Sequence, residues 1–497
     1  MNYCDDLLRL CDLCENKRLA IELDTGRSVT YGELRARVRA FAGHLREIGI
    51  GPGSSVAIHL FNGIDAMVAH MAIQYVGARS CFIDALVQPK AFDYYVRITQ
   101  CRLLLTHAEV SAVPSEVLAQ VDVIKAADID LLSRESRLTV EEPYAFHDDE
   151  ISYVYFTSGT TSVPKGVMLT PGNHANFTKI CDKYWQPVDE RSKHICFVPF
   201  SHGFGTIFLV PLAIRTGSEL HLLRAFHPLR VADAVKEKSI THIYGVPSHY
   251  QQLLRLPKAS EYLGSLKLAF CAAAKLEHDL MLEWERTTGT ILCEGYGLIE
   301  TCCGTVWRVG TPSRGTGHMG PCPDPSLVDI AIFDQENQPL PRESTGQIVV
   351  RGPSVMKGYL SLTQETARVM HDGWFLTGDK GHISIDGELF MTGRIKDIIN
   401  IAGIKVSPYE VEAVLHQHPA VAEAAVVAAA DPLYGEVVKA YVRLHANTDV
   451  SERDLIRFSS EYLMSFQVPK RVEFLDSFPL NNMGKLDRNE LRARNPI

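Results

Sequence analysis

Residues 157–166 read Thr-Ser-Gly-Thr-Thr-Ser-Val-Pro-Lys-Gly. Thr157, Ser158, Thr160, Thr161 and Ser162 bring hydroxyls, Gly159 and Gly166 bring backbone freedom, and Lys165 brings a cation. Glycine lets a backbone close round an anion, and successive amides and hydroxyls then donate to phosphate oxygens. The β-rich run 151–156 and the run Val167-Met168-Leu169-Thr170 set the segment between two strands. A Walker-type phosphate loop is excluded by spacing. Gly159 and Lys165 do not fit Gly-x4-Gly-Lys, and Gly166 stands where a magnesium-binding Ser or Thr is required. A solvated Ser/Thr-rich turn is the plain alternative for this segment taken alone.

Further segments follow in order: Glu294-Gly295-Tyr296-Gly297-Leu298-Ile299-Glu300, Thr377-Gly378-Asp379, Gly393-Arg394-Ile395-Lys396-Asp397 and Gly484-Lys485-Leu486. Each would pass singly for a turn or an exposed charged stretch. As an ordered set, with 157–166, they resemble the adenylate-forming enzyme superfamily: acyl- and aryl-CoA synthetases, peptide-synthetase adenylation domains and luciferases. The pattern is nearest to stand-alone acyl-CoA synthetases, and the chain ends shortly after Lys485 as theirs do.

The resemblance implies ATP-dependent conversion of a carboxylic acid to an acyl-adenylate, with release of pyrophosphate, followed by transfer to the thiol of coenzyme A. It implies ATP and Mg²⁺, with coenzyme A as co-substrate. Thr157, Ser158, Gly159, Thr160, Thr161 and Lys165 would then hold phosphate, with Tyr296 and Gly297 at the adenine. Glu300 would carry the metal, Asp379 would accept hydrogen bonds from the ribose hydroxyls, and Arg394 would contact ribose or phosphate. Lys396 would sit at a hinge, and Lys485 would be the catalytic lysine. A positioned ammonium suits the charge gathered at phosphorus when a carboxylate attacks the α-phosphate.

Three positions depart from the usual pattern: Ser162 for Gly, Ile299 for Thr, and Gln347 for Glu. Thr301 is the hydroxyl that could replace the one missing at Ile299. Two other readings stay open: transfer to a separate acyl carrier protein, and a degenerate, non-catalytic nucleotide or acyl binder.

The acid would lie near Pro199-Phe200-Ser201-His202-Gly203-Phe204-Gly205, with His202 as gate or carboxylate contact and as a catalytic candidate. His202, Gly203, Phe204, Ala272, Ala273 and Gly295 would line the acyl pocket, whose small residues suggest room. No Asp occurs between Cys196 and Gly205, where amino-acid-activating relatives usually place one.

These residues need a large scaffold. The 497 residues suffice for two or more domains. A net charge of -9 disfavours a nucleic-acid partner. No signal peptide or transmembrane segment is read, so a cytoplasmic location is expected. The 12 Cys are expected as free thiols, and Cys11-Asp-Leu-Cys14 is a weak zinc signal.

Thr30 and Glu33 form a capping box before a helix carrying Leu34, Val38, Phe41 and Leu45. A strand over 55–60 and a helix over 65–76 follow. The alternation predicts an α/β fold: a large N-terminal multi-layer domain over 1–392 with a β-rich subdomain around 329–350, a hinge at 393–397, and a small mobile C-terminal α+β domain over 398–497. Ser407 is expected to cap a helix opening on Pro408, and 421–430 and 436–444 are expected to pair as strands.

Overall fold

The computed structural model describes residues 2–494 apart from 136–138, 158–163, 186–187, 275, 311, 316, 402–403, 432, 447 and 482–483. The chain forms two compact units, Met1–Ile330 with Val350–Phe375, and Ala331–Val349 with Leu376–Ile497. The segment 393–397 falls inside the second.

The first unit is built on two sheets. One runs in the order Gly358–Tyr359, Lys165–Leu169, Tyr153–Thr157, Arg79–Phe82, Ser55–His59, Leu103–Thr106 and Asp122–Lys125. The other runs Val306–Arg308, Leu292–Tyr296, Leu268–Ala272, His242–Gly245, Lys193–Cys196, Glu219–Leu222, Arg18–Glu22 and Ser28–Thr30. Their central strands are parallel.

Alternation along each strand divides its side chains between two buried layers. Tyr153 and Tyr155 enter the same large core as Leu268 and Phe270. Val154 and Phe156 face a smaller core with Ala57 and Leu104, and Ala269 and Cys271 face another with Trp284. Burial on both faces explains why these strands read as unbroken apolar runs.

The capping box forms as expected, with the Glu33 amide donating to Thr30 Oγ1 at 3.1 Å and the Thr30 amide to Glu33 Oε2 at 2.8 Å. Helix Tyr31–Glu47 then buries Leu34, Val38, Phe41 and Leu45. Helix Ile64–Tyr75 is buried along nearly its whole length, including the polar Gln74, whose amide donates to the Ser152 carbonyl at 2.7 Å.

In the second unit Trp374–Ile383 pairs antiparallel with Glu388–Arg394, and Asp329–Phe333 and Gly346–Arg351 are neighbours in that sheet. A second sheet pairs Val421–Asp431 with Gly435–Leu444, antiparallel as expected, and adds Arg471–Phe474 parallel to the latter. Helix Pro408–Leu415 begins where the Ser-Pro signal places it, but Ser407 makes no side-chain cap bond. Its hydroxyl lies 3.5 Å from the Thr392 carbonyl instead, so the fixed φ of Pro408 starts this helix without a Ser cap.

All 12 cysteines are free thiols. Among the described residues, no helix is long and apolar enough to cross a membrane and no cluster of three His, Cys, Asp or Glu could hold a metal.

Candidate active site

The two strands flanking the Ser/Thr-rich segment pair antiparallel, with Thr157 opposite Lys165 and Phe156 opposite Gly166. The segment therefore leaves and re-enters the sheet at adjacent points. Ser158, Gly159, Thr160, Thr161, Ser162 and Val163 lie outside the described residues. A Cβ on Gly166 would stand 2.9 Å from Val154 and 3.2 Å from Phe156, so packing demands glycine there.

Lys165 extends to Glu365, with Nζ 2.8 Å from Oε2, and lies 5.1 Å from the centroid of the Tyr359 ring. The hydrogen bond and charge of Lys165 hold the Glu365 carboxyl below its ordinary range. Tyr359 in turn donates its hydroxyl to Glu300 Oε1 at 3.0 Å. Burial, then the Glu300 charge and hydrogen bond, raises the Tyr359 hydroxyl far above its usual pKa, so it stays a donor. Lys165, Tyr359 and Glu300 are thus linked through contacts to the Tyr359 side chain. The short strand Gly358–Tyr359, paired with Val167 and Met168, holds Tyr359 there.

Glu300 sits on the short helix Ile299–Thr301 that follows strand Leu292–Tyr296. Gly297 makes the close turn between them: a Cβ there would meet the Cys303 carbonyl oxygen at 2.4 Å. Thr301 does not stand in for the hydroxyl missing at Ile299. It is 1% exposed, and its Oγ1 is engaged within its own turn by Leu298 and, at 2.8 Å, by Thr305 Oγ1.

The turn Phe200–His202 leads through Gly203, at φ 77, into a π-helix over Phe204–Leu209. A Cβ on Gly203 would stand 2.9 Å from Cys303 Sγ and 3.1 Å from Ile299, which sets this turn against the one carrying Glu300. His202 Nε2 lies 2.8 Å from Asp84 Oδ2. The same carboxylate accepts the Leu86 amide at 2.8 Å and the Ser201 hydroxyl at 3.4 Å. Burial pushes the Asp84 carboxyl up, but His202 and these donors outweigh it and hold the carboxyl below its ordinary range. The local sequence lacks an Asp, yet the fold brings one from the end of the distant strand Arg79–Phe82.

Ala272 and Gly295 are register partners on adjacent strands, and Ala273 follows at φ 69. At Gly295 a Cβ would meet Phe270 at 2.4 Å and Trp307 at 2.8 Å, so both rings pack against its backbone. Tyr296 is buried at the end of its strand.

In the second unit Asp379 and Arg394 are register partners, with Nε 3.0 Å from Oδ1, and Asp379 is 1% exposed. The preceding turn is fastened by the Thr377 hydroxyl to the Ile348 carbonyl at 2.6 Å and by the Gly378 amide to Gln347 Oε1 at 3.0 Å. Gln347 thus supplies the acceptor that a Glu would, which makes this departure conservative. Lys396 is exposed on the short helix Ile395–Asp397, and Asp397 pairs with Arg492 at 2.8 Å. Lys485 is half-buried in a turn whose backbone is closed by Asn481.

Sequence reasoning missed Tyr359, Glu365 and Asp84. No motif marks them, since each acts by pairing with a residue distant in sequence. Gly358, at φ 137 before an aromatic residue, was the available hint.

The sequence pattern described as AMP-binding enzyme matches residues 13–360, and that of the AMP-binding enzyme C-terminal domain matches 410–485. A long-chain-fatty-acid–CoA ligase of Bacillus subtilis (strain 168) is 30% identical over 510 residues, spanning 94% of this chain and 90% of the relative. The solved structure of ATP-bound MatB from Rhodopseudomonas palustris superposes with a TM-score of 0.90 at 27% identity, covering 99% of both chains. That of o-succinylbenzoate CoA synthetase from Bacillus subtilis, in complex with its acyl-adenylate intermediate, gives 0.83 at 27% identity, covering 100% of this chain and 98% of that one. With the ordered motifs on this two-part scaffold, the chain belongs to the AMP-binding enzyme family of adenylate-forming acid–CoA ligases.

Proposed function

We infer that this chain activates a small-molecule carboxylic acid with ATP, releasing pyrophosphate, and passes the acyl group from the adenylate to coenzyme A. The linkage of Lys165 and Glu300 through Tyr359 is the observation that carries this reading. It brings an ammonium at the end of the segment 157–166 and a carboxylate onto one tyrosine, a pairing of charges that suits a nucleotide triphosphate with a bound cation.

Thr157 and Lys165, with the intervening hydroxyls and amides, take the phosphates, and Tyr296 and Gly297 border the adenine. Asp379 accepts the ribose hydroxyls while Arg394 holds it in place. His202, oriented by Asp84, lies beside the acid carboxylate, and Gly203, Phe204, Ala272, Ala273 and Gly295 enclose the acyl group. The carboxylate attacks the α-phosphorus, pyrophosphate leaves, and Lys485 neutralises charge on the α-phosphate oxygens. The thiol of coenzyme A then attacks the acyl carbon and AMP leaves. Residues 393–397, including Lys396, form the hinge between a large N-terminal domain and the mobile C-terminal domain that carries Lys485.

Glu300 suits Mg²⁺, a hard cation that takes one or two carboxylates and otherwise substrate phosphates and water. It would hold the ion, which when bound offsets phosphate charge. Tyr359 keeps the carboxylate oriented. Tyr359→Phe removes one hydrogen bond to a charged group at almost constant volume, so the Mg²⁺ concentration needed for half-maximal ATP binding should rise about tenfold. Titration calorimetry of ATP binding across a Mg²⁺ series, with a chelated control, measures this. An unchanged Mg²⁺ dependence would remove Tyr359 from the role.

The overall reading is tested by acid-dependent exchange of labelled pyrophosphate into ATP over aliphatic, benzoate-like and cinnamate-like acids, followed by thioester formation with coenzyme A alone. Folded protein that exchanges with none of them is not a ligase of this kind.

A further inference from the structure

Phe204, two residues past His202, belongs to a layer of aromatic rings. Phe270 and Trp307 press on the backbone of Gly295. Behind them Trp185 stands edge-on to Phe270 with ring centroids 4.7 Å apart, and edge-on to Phe208 at 5.1 Å. Phe204 and Phe208, four residues apart on the π-helix, pack edge to face at 5.3 Å. Trp185, Phe208 and Phe270 are all buried.

A cavity of about 180 Å³, open to solvent beside Asp182 and Arg215, is bordered by helix Pro171–Tyr184 and the helical segment 204–216. Trp185, Ile207 and Phe208 line it. Ile207 also comes within 2.8 Å of a Cβ position on Gly203, at the acid end. Ile207 and Phe208 thus have one side towards this cavity and the other towards Gly203 and the ring layer. Asp182 and Arg215, which also line the cavity, are hydrogen-bonded at 3.2 Å and partly exposed.

We propose that these side chains form a partition, with Phe208 as its principal member, that sets the length of the acid, and that the chain takes a short or compact carboxylic acid. The inference rests on the reading that the acyl group lies between His202 and Gly295. An alkyl tail running inward from the carboxylate has to displace rings already at close-packed separation, and packed interiors absorb extra methylenes poorly. A short acyl group ends at the ring layer and needs no displacement. The cavity beyond is space that a longer tail would reach only through an opened partition. Substrate choice here therefore differs from that of the long-chain ligase to which the chain is similar, although the chemistry is shared.

The test is pyrophosphate exchange with the full-length protein over butanoate, octanoate, dodecanoate and benzoate, for the wild type, Phe208→Ala and Phe208→Leu, with thermal melting to establish folding. Wild-type kcat/KM should fall about tenfold or more from butanoate to octanoate, and Phe208→Ala should raise the octanoate-to-butanoate ratio about tenfold. Phe208→Leu should shift the ratio the same way by less, and carries the test if the Ala variant does not fold. A wild type that prefers dodecanoate overturns the proposal, as does a ratio unchanged in the folded variants. Exchange with no acid at all is a different result: it removes the ligase reading on which the partition depends.

Discussion

Lys485→Ala should slow adenylate formation about 10²–10³-fold while leaving thioester formation from supplied acyl-adenylate close to the wild-type rate. The local geometry makes this a clean substitution. The Lys485 amide donates to Asn481 Oδ1 at 3.0 Å, and the Lys485 carbonyl accepts the Asn481 amide at 2.8 Å. Gly484 takes φ 75, and Asp487 caps the next helix by accepting the amides of Asn489 and Glu490. The Arg488 guanidinium in that helix lies 2.7 Å from Glu412. All these bonds are made by backbone or by other side chains and survive loss of the lysine side chain beyond Cβ, so the turn should keep its form. On the proposed mechanism the carboxylate attack needs the Lys485 charge, because negative charge gathers on the phosphorus-bound oxygens in the transition state. The later thiol attack is at carbon and does not. Pyrophosphate exchange measures the first step, and synthetic acyl-adenylate with coenzyme A measures the second. Equal losses in both would show that Lys485 serves the fold or both reactions.

Asp379→Asn should weaken ATP binding about 10- to 100-fold. The carboxylate is buried beside Arg394 and can accept from two hydroxyls. An amide of the same size turns one acceptor into a donor that faces the guanidinium and the ribose. Hydrogen bonds to charged groups are worth about 1.5–3 kcal/mol each, which sets the range. The turn itself is retained, since Thr377 and Gln347 bind its backbone. Calorimetric titration with ATP reads the affinity, and a melting curve shows whether the unit remains folded. Unchanged affinity would place the ribose elsewhere.

The elements that position these residues were largely legible from periodicity. Strand Ser55–His59, helix Tyr31–Glu47 and the hairpin of Val421–Asp431 with Gly435–Leu444 follow from local pattern, because burial and pattern agree there. Ser407 was read correctly as a helix start but wrongly as a side-chain cap. A cap is decided by where the hydroxyl turns, and tertiary packing offered it a different acceptor. Candidate site residues such as Asp379 and Glu300 stand in contiguous motifs that a sequence displays. The pairs Tyr359 with Glu300 and Asp84 with His202 join residues far apart in sequence, which no local pattern displays. The absence of Asp between Cys196 and Gly205 says nothing of Asp84, which the fold brings to His202 from 118 positions away. Small residues such as Ala272 suggested room, but composition cannot show what packs beside them, as Phe270 and Trp307 do at the neighbouring Gly295.

The π-helix at Phe204–Leu209 carries one more consequence. A π-turn holds more residues than the α-turn it interrupts, so the segment contains an insertion that the fold already tolerates. Losing one residue there would restore ordinary helical winding and leave Val210–Thr216 in place, while turning the preceding side chains by about 100° about the axis. Phe204, and with it the face shown to the acid, would swing away without any change to the groups that handle the nucleotide. On the proposed reading, gain or loss of one residue in this stretch would therefore change the acid accepted while leaving the adenylating groups as they are.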